Sequence, residues 1–231
     1  MRKVERRMTD FYKYPDWLGE DSKVEFSDSA KNAIGAGKLK FSLNKHGGKT
    51  HLSRLNCFID AVQGNVRIHV GNDDTTIKLG KIGGAYDFRI WRESFVSIGD
   101  GTTCNGARIV CDNSSVIVGE DCLLSDEIII QSADQHGIVD LKTSKIINNE
   151  KTDIRIGNHV WIGRRSNILY GADIGSGSIV GFGTLVNKEI PNNSLVVGVP
   201  GVVKKTDITW CRSPLNLDNY SKKMVSTYNE S

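Results

Sequence analysis

The chain has 231 residues, enough for one large domain or for one domain with an appendage. Its 30 Lys and Arg against 27 Asp and Glu leave a formal charge of +3, which argues against a dedicated nucleic-acid binder. With 39% hydrophobic and 25% charged residues a packed core is expected and wholesale disorder is excluded. No apolar run of about 18 residues predicts a membrane span. The basic start Met1–Met8 has no apolar segment behind it and does not read as a secretory signal.

In chain order, residues 1–20 mix charge with Phe11, Tyr12, Tyr14 and Trp17 and read as an arm or short helix that caps the fold or meets a neighbour. Residues 21–95 carry strand-like pieces, such as Val66–Val70 and Thr76–Leu79, and are expected to form irregular first coils, with a turn at Lys45–Gly48. Residues 96–130 and 154–203 are the regular part. Between them, 131–153 is polar, contains His136, and is long for a connection inside a compact solenoid, so it reads as a protruding functional loop. The domain is thus bounded at 21–206, and 207–231 is a tail whose Ser221–Met224 stretch suits a helix. The five cysteines, Cys57, Cys104, Cys111, Cys122 and Cys211, are odd in number and form no C-x-x-C pair. They point to a reducing cytoplasm rather than to a disulfide framework or a structural zinc site.

The main signal is a repeat. Stepping by six from Ile156 gives Ile162, Ile168, Ile174, Val180 and Val186, all β-branched aliphatics. Six such hits in a row would arise by chance roughly once per several thousand starting points. The step resumes at Ile190, Val196 and Val202, and is looser upstream at Ile98, Cys104, Val110 and Val116, then at Val118, Leu124 and Ile130. Glycine follows the aliphatic at 157, 163, 175 and 181, where it is expected to take backbone conformations that other residues resist. A period of six is not helical. It describes a short strand and a corner, and three such units close a triangular coil of about eighteen residues, as in a parallel β-helix. The fold expected is therefore all-β, a parallel β-helix with a protruding loop and short terminal extensions.

The repeat, Ser132-Ala-Asp-Gln-His136 in the break, Ile156-Gly-Asn-His-Val-Trp-Ile-Gly-Arg164 at the restart, and Lys188-Glu-Ile-Pro191 followed by Val197-Gly-Val-Pro200 together resemble the hexapeptide-repeat acyltransferases. Within them the chain resembles the capsular polysaccharide (polysialic acid) O-acetyltransferases, whose tail has a counterpart of Asp207-Ile-Thr-Trp-Cys-Arg212. The resemblance covers about residues 96–206. It implies a left-handed coil, against the usual right-handed rule for parallel crossovers. It also implies a homotrimer with acetyl-coenzyme A in clefts between subunits, no metal, and a carbohydrate acceptor.

The family's catalytic histidine falls on His136. An alcohol is a poor nucleophile until its proton is taken, and an imidazole suits that task near neutral pH. Asp134, two residues earlier, could orient the ring. Trp161 matches the family's tryptophan and would wall the acceptor pocket or guide the acetyl end of the cosubstrate. His159 reads as a structural corner residue. The coenzyme A positions carry over to Arg164, Phe182, Asn187 and Lys205, with Gly181 and Lys188 beside them. Lys188, Lys204 and Lys205 could meet its phosphates. Where Phe182 stands the family often has a small residue.

The reading of the activity is acetyl transfer to a hydroxyl of a bacterial surface polysaccharide or sugar, with sialic acid units among the candidate acceptors. Its competitors are N-acetylation of a nucleotide-linked amino sugar, a zinc hydratase needing three converging histidines, and a non-catalytic coil scaffold. Arg108, Lys142 and Lys145 are basic residues suited to a polymer acceptor.

Overall fold

A computed structural model describes residues 12–47 and 49–229. Two long parallel sheets and a two-stranded one account for its strands, with helices at Asp28–Gly35 and Asn219–Asn229. One sheet of eight strands stacks Lys23–Phe26, Asn56–Ile59, Thr76–Leu79, Phe95–Ile98, Ser115–Val118, Ile154–Ile156, Asp173–Ile174 and Glu189–Ile190 along one face of a prism. The twelve-stranded sheet covers the other two faces. Its first strands, Leu39–Lys45, Gln63–Val70, Gly83–Ile90 and Thr103–Cys111, are long. The last pairs with both Leu123–Leu124 and Ile128–Gln131, and below it the faces separate into two columns. Trp161–Ile162 and Ile179–Val180 continue the first column; Asn167–Leu169 and Leu185–Val186 continue the second.

The six-step residues build this shape by pointing inward. Ile156, Ile162, Ile168, Ile174, Val180 and Val186 are each at most 2% exposed and lie in one continuous core with Ile190 and Val196. Each such aliphatic contributes roughly 1.5–3 kcal/mol when it leaves water. Two members of the series depart from it. Val202 is 47% exposed, because Val202–Lys205 leaves the coil and turns back antiparallel onto Leu195–Val197. Val110 is buried but lies outside the core, which takes its neighbours Ile109 and Cys111 instead.

The corners revise the part expected of glycine. Left-handed backbone recurs every six residues at His159, Arg165, Gly171, Gly177 and Gly183, with φ between 52° and 79°. The glycines after the aliphatics do something else. A Cβ on Gly163 would lie 2.7 Å from the Val180 carbonyl oxygen. Those glycines permit close stacking of coils rather than unusual φ. Small residues complete each corner: Ser166 donates to the Gly181 carbonyl at 2.9 Å, and Ser178 to that of Pro191 at 3.0 Å.

Coil length explains why residues 21–95 hide their regularity. Along the eight-stranded face Phe95 pairs with Ser115, Arg155 with Asp173, and Asp173 with Glu189, so the repeat shortens from 20 to 18 to 16 residues. At the upper end Tyr12 packs against Tyr14, Phe26 and Phe41 at 5.3–5.5 Å, and Leu18 bridges Leu52. Residues 12–20 contain no helix; residues 1–11, and Gly48 of the expected turn, lie outside the described residues. The tail forms the helix Asn219–Asn229 over the segment that suited one.

Candidate active site

The chain leaves the coil after Gln131 and re-enters at Ile154, which pairs with Val116 thirty-eight positions earlier. The ladder therefore closes beneath the loop. At the exit Ser132 is buried and accepts hydrogen bonds from the Asp112 amide at 3.2 Å and the Ser114 hydroxyl at 2.6 Å. Farther out, Val139–Asp140 and Lys145–Ile146 pair antiparallel. The Asp140 carboxylate holds their turn by accepting from the amides of Lys142 and Thr143 and from the Thr143 hydroxyl, at 2.7–3.0 Å.

Asn148 ties the return strand to the histidine. Its amide nitrogen donates to the His136 carbonyl at 2.9 Å and to the Asp134 carboxylate at 3.2 Å, and its oxygen accepts from the Ile138 amide at 2.7 Å. Asp134, considered above as an orienter of the imidazole, thus has Asn148 as its hydrogen-bond donor. His136 is exposed and lines a cleft of about 510 Å³ with Asn72, Trp91, Arg92 and Asp112. Arg92 grips the buried Asp112 carboxylate through Nε and Nη2 at 2.8 and 2.9 Å. The cleft offers an accessible base, a fixed carboxylate and an aromatic wall. Neither the six-step nor the loop pointed to Trp91, Arg92, Asp112 or Asn148, because their roles depend on which coils stack.

Trp161 stands elsewhere. It lies between Leu123 and Ile179 on the column across the prism, 38% exposed, and its Nε1 donates to Ser125 Oγ at 3.3 Å. It does not line the His136 cleft. His159 is 1% exposed at a left-handed corner. Its Nδ1 lies 2.6 Å from Asp121 Oδ2 and its Nε2 3.0 Å from the Trp210 carbonyl oxygen. Burial pushes the Asp121 carboxyl up, but hydrogen bonds from His159, Tyr220 and Arg212 outweigh it and hold the group below its ordinary value. With His159 fixed there, it does not converge with His136.

The expected coenzyme A residues form two groups. Arg164 and Phe182 sit at the same corner of successive coils, where the Gly183 amide donates to the Arg164 carbonyl at 2.9 Å. Arg164 is bound to Asp126 of the coil above, Phe182 is 67% exposed, and Lys205 pairs with Leu195 on the adjoining face. At Gly181 a Cβ would lie 2.7 Å from Val197 Cγ1, so this position is kept bare by packing. Asn187 and Lys188 are exposed at the corner on the loop side, below Gly171 and Asp173. Within one chain the structure joins Arg164, Phe182, Gly181 and Lys205 to the side of Trp161, and Asn187 and Lys188 to the side of His136.

Residues 153–188 match the bacterial transferase hexapeptide (six repeats) family. The chain is 37% identical over 149 residues to a polysialic acid O-acetyltransferase of Escherichia coli O1:K1 / APEC, covering 64% of this chain and 45% of that protein. It is 31% identical over 110 residues to a galactoside O-acetyltransferase of Lactococcus lactis subsp. lactis (strain IL1403), covering 48% and 52%. The chain therefore spans about half the length of these curated relatives. Among solved structures, the polysialic acid O-acetyltransferase OatWY superposes with a TM-score of 0.65 at 23% identity, over 82% of this chain and 94% of that one. The polySia-specific acetyltransferase NeuO superposes with a TM-score of 0.58 at 23% identity, over 92% and 99%. These two likenesses establish the fold, and with it the left-handed sense of the coil. Residues 153–188 thus carry the repeat of the bacterial transferase hexapeptide family, and the chain shares its fold with the two solved O-acetyltransferases.

Proposed function

We propose that the protein transfers acetyl from acetyl-coenzyme A to a hydroxyl of a bacterial surface polysaccharide. The observation that carries this reading is His136, held on a tied loop at the mouth of an open cleft. His136 takes the proton of the sugar hydroxyl, the oxygen attacks the thioester carbonyl, and the same imidazole returns the proton to the departing thiolate. Backbone amides of the coil, with Trp161, would stabilise the oxyanion. No cysteine stands in the cleft as an acyl carrier, which supports direct transfer in a ternary complex.

The division of the expected residues supports a homotrimer. His136 with Lys188, and Trp161 with Arg164 and Phe182, lie on different sides of one prism, so a complete site forms where two copies meet. The loop hairpin suits that contact, because Val139, Leu141 and Ile146 are all more than 50% exposed and Leu141 is 93% exposed. Bound between copies, coenzyme A would lie along the corner of Arg164 and Phe182, with Lys188 and Lys205 near its phosphates. Among the described residues no helix is long and apolar enough to cross a membrane. The cytoplasm, which supplies acetyl-coenzyme A and keeps thiols reduced, is the compartment that fits.

The test is thiol release from acetyl-coenzyme A with a panel of capsule and lipopolysaccharide sugars. His136→Ala should lower turnover by a factor of about a thousand or more with the fold intact. Near-normal acetylation by that variant would refute the assignment. Alkali-labile product separates ester from amide.

A further inference from the structure

The tail runs along one corner of the prism. Asp121, His159, Gly177 and Asn193 occupy that corner in successive coils, each with left-handed backbone at φ between 52° and 72°. The ladder uses the carbonyls just before them: the His159, Gly177 and Asn193 amides donate to Glu120, Asn158 and Ser176 at 2.8–2.9 Å. The corner residues' own carbonyls are met by the tail, as backbone acceptors require partners. The Ile208 amide donates to the Asn193 carbonyl at 3.0 Å, the Thr209 hydroxyl to that of Gly177 at 3.1 Å, and the Trp210 indole to that of His159 at 2.7 Å. Three consecutive residues thus climb three coils, and Arg212 reaches the next through the Asp121 carboxylate at 3.1 Å.

Where the tail reaches His159 it also reaches Trp161. His159 turns the corner, Val160 is fully buried, and Trp161 points outward on the adjoining column, since successive strand residues face opposite sides. The Trp161 indole is 38% exposed, and its bond to Ser125 at 3.3 Å is longer than the roughly 2.7–3.2 Å of a well-formed N–H···O bond. One long bond does not fix a ring that turns about two side-chain torsions.

Trp210 supplies the second restraint. Its ring centroid lies 6.3 Å from that of Trp161 with the planes tilted by 50°, inside the roughly 4.5–7 Å span of aromatic pairs. Trp210 is 6% exposed and stacked on the His159 ring, so it offers Trp161 a fixed surface. Arg212 ties the same segment to the column of Trp161: its Nη1 donates to Thr103 Oγ1 at 3.2 Å, and Thr103, Leu123 and Trp161 are register partners.

We infer that Trp210 is a positioning residue for the transfer reaction: it sets the Trp161 indole, and through it the tail takes part in the chemistry. Trp210 acts only through Trp161. This rests on the reading that places Trp161 in the acetyl-transfer site, and it adds the element that holds Trp161 there.

The experiment uses the full chain with Trp210→Phe and Trp210→Leu. Both lose the bond to the His159 carbonyl, and only the first keeps an aromatic ring, so their difference isolates the ring contact. Thiol release from acetyl-coenzyme A is followed with the best acceptor of the sugar panel. Trp210→Leu should lower kcat about ten- to a hundredfold per folded molecule, with KM for acetyl-coenzyme A little changed, and Trp210→Phe should recover much of the loss. Thr209→Val, which removes a tail bond that does not touch Trp161, should leave kcat unchanged. In a Trp161→Ala background, Trp210→Leu should lower kcat no further. Protein labelled with 5-fluorotryptophan gives a second readout: of the signals from its four tryptophans, that of Trp161 is the one lost in Trp161→Phe, and Trp210→Leu should shift or broaden it.

Equal losses in Thr209→Val and Trp210→Leu would make the tail a fastening alone and overturn the proposal. So would a full additional loss in the Trp161→Ala background, or a Trp161 signal unmoved in folded Trp210→Leu. A Trp161→Ala variant at full rate removes Trp161 from the chemistry, and the positioning role with it. If no acceptor is acetylated, the fluorine signal decides: a shifted Trp161 signal sustains the contact and removes the activity, and an unmoved one removes the contact.

Discussion

His159 and Trp210, fifty-one positions apart, stack with ring centroids 4.3 Å apart and planes within 7°. The contact is reciprocal: the Trp210 indole donates to the His159 carbonyl at 2.7 Å, and the His159 ring meets the Trp210 carbonyl at 3.0 Å. Arg212 adds a cation over the indole at 5.5 Å and a bond to Asp121 at 3.1 Å. The tail is fastened to the coil here, and the Ile208 amide and the Thr209 hydroxyl add bonds to the carbonyls of Asn193 and Gly177 at 3.0 and 3.1 Å. Trp210→Ala should cost about 3–5 kcal/mol, the usual range for removing a large buried aromatic. Urea unfolding measures it, and limited proteolysis should then cut within 207–218 in the otherwise folded variant.

The same fastening should be acid-sensitive. Asp121 is held below the ordinary carboxylate value of 3.8, so it binds protons less readily folded than unfolded. Its stabilisation is fully present above that value and is lost as pH falls below it through the lower folded value. Trp210 fluorescence should stay constant from neutral pH to about 4 and change only below that. Asp121→Asn should shift the emission already at neutral pH; an unchanged neutral spectrum would contradict the role given to Asp121.

Two glycines should respond for different reasons. Gly163→Ala places a methyl against the backbone of the next coil and should cost about 2–3 kcal/mol. Gly183→Ala has open space but a φ of 65°, and should cost about 1 kcal/mol. Thermal melts of the two variants give the order, and the reverse order would show that corner strain outweighs coil contact.

Asn148→Ala should release the His136 backbone from its tie to the return segment while keeping the imidazole itself. The expected result is a fall in kcat of about ten- to a hundredfold with a smaller change in KM, since a base displaced by 1 Å loses much of its effect. Asn148→Gln should restore less than native activity, because its longer arm cannot reach all three partners. An unaltered kcat would show that the loop holds its shape without Asn148.

Burial pushes the thiols of Cys57 and Cys104 up to about 12 and that of Cys122 to about 11, and it raises Cys111 as well. Cys211 alone is not buried. Iodoacetamide on the native protein at pH 8 should therefore label Cys211 first and leave the other four untouched for as long as the coil stays folded. Mass spectrometry of the digest reads the pattern.

The coil was legible in the sequence because six-residue spacing survives where strands are two or three residues long, from Ile156 to Val186 and again from Ile190 to Val196. It was illegible in residues 21–95, where 20-residue coils carry strands of up to eight residues and the period blurs. The glycines were visible, but their reason was not. A sequence shows that Gly163 follows Ile162; only the stack shows Val180 below it. His136 and Trp161 were legible through their motifs. The cleft wall was not, since Asn72, Trp91 and Asp112 are brought together by stacking at intervals of about twenty residues that carry no local signature.

Ile154 takes its place beside Val116 as though the intervening loop were absent. The ladder does not run through the segment bearing the imidazole, which is tied to the coil at its ends by Ser132 and Asp153. Heat tolerance and chemistry can therefore diverge independently in this architecture. A loop from a relative with different tastes in sugar is expected to graft between Ser132 and Asp153 without rebuilding the prism.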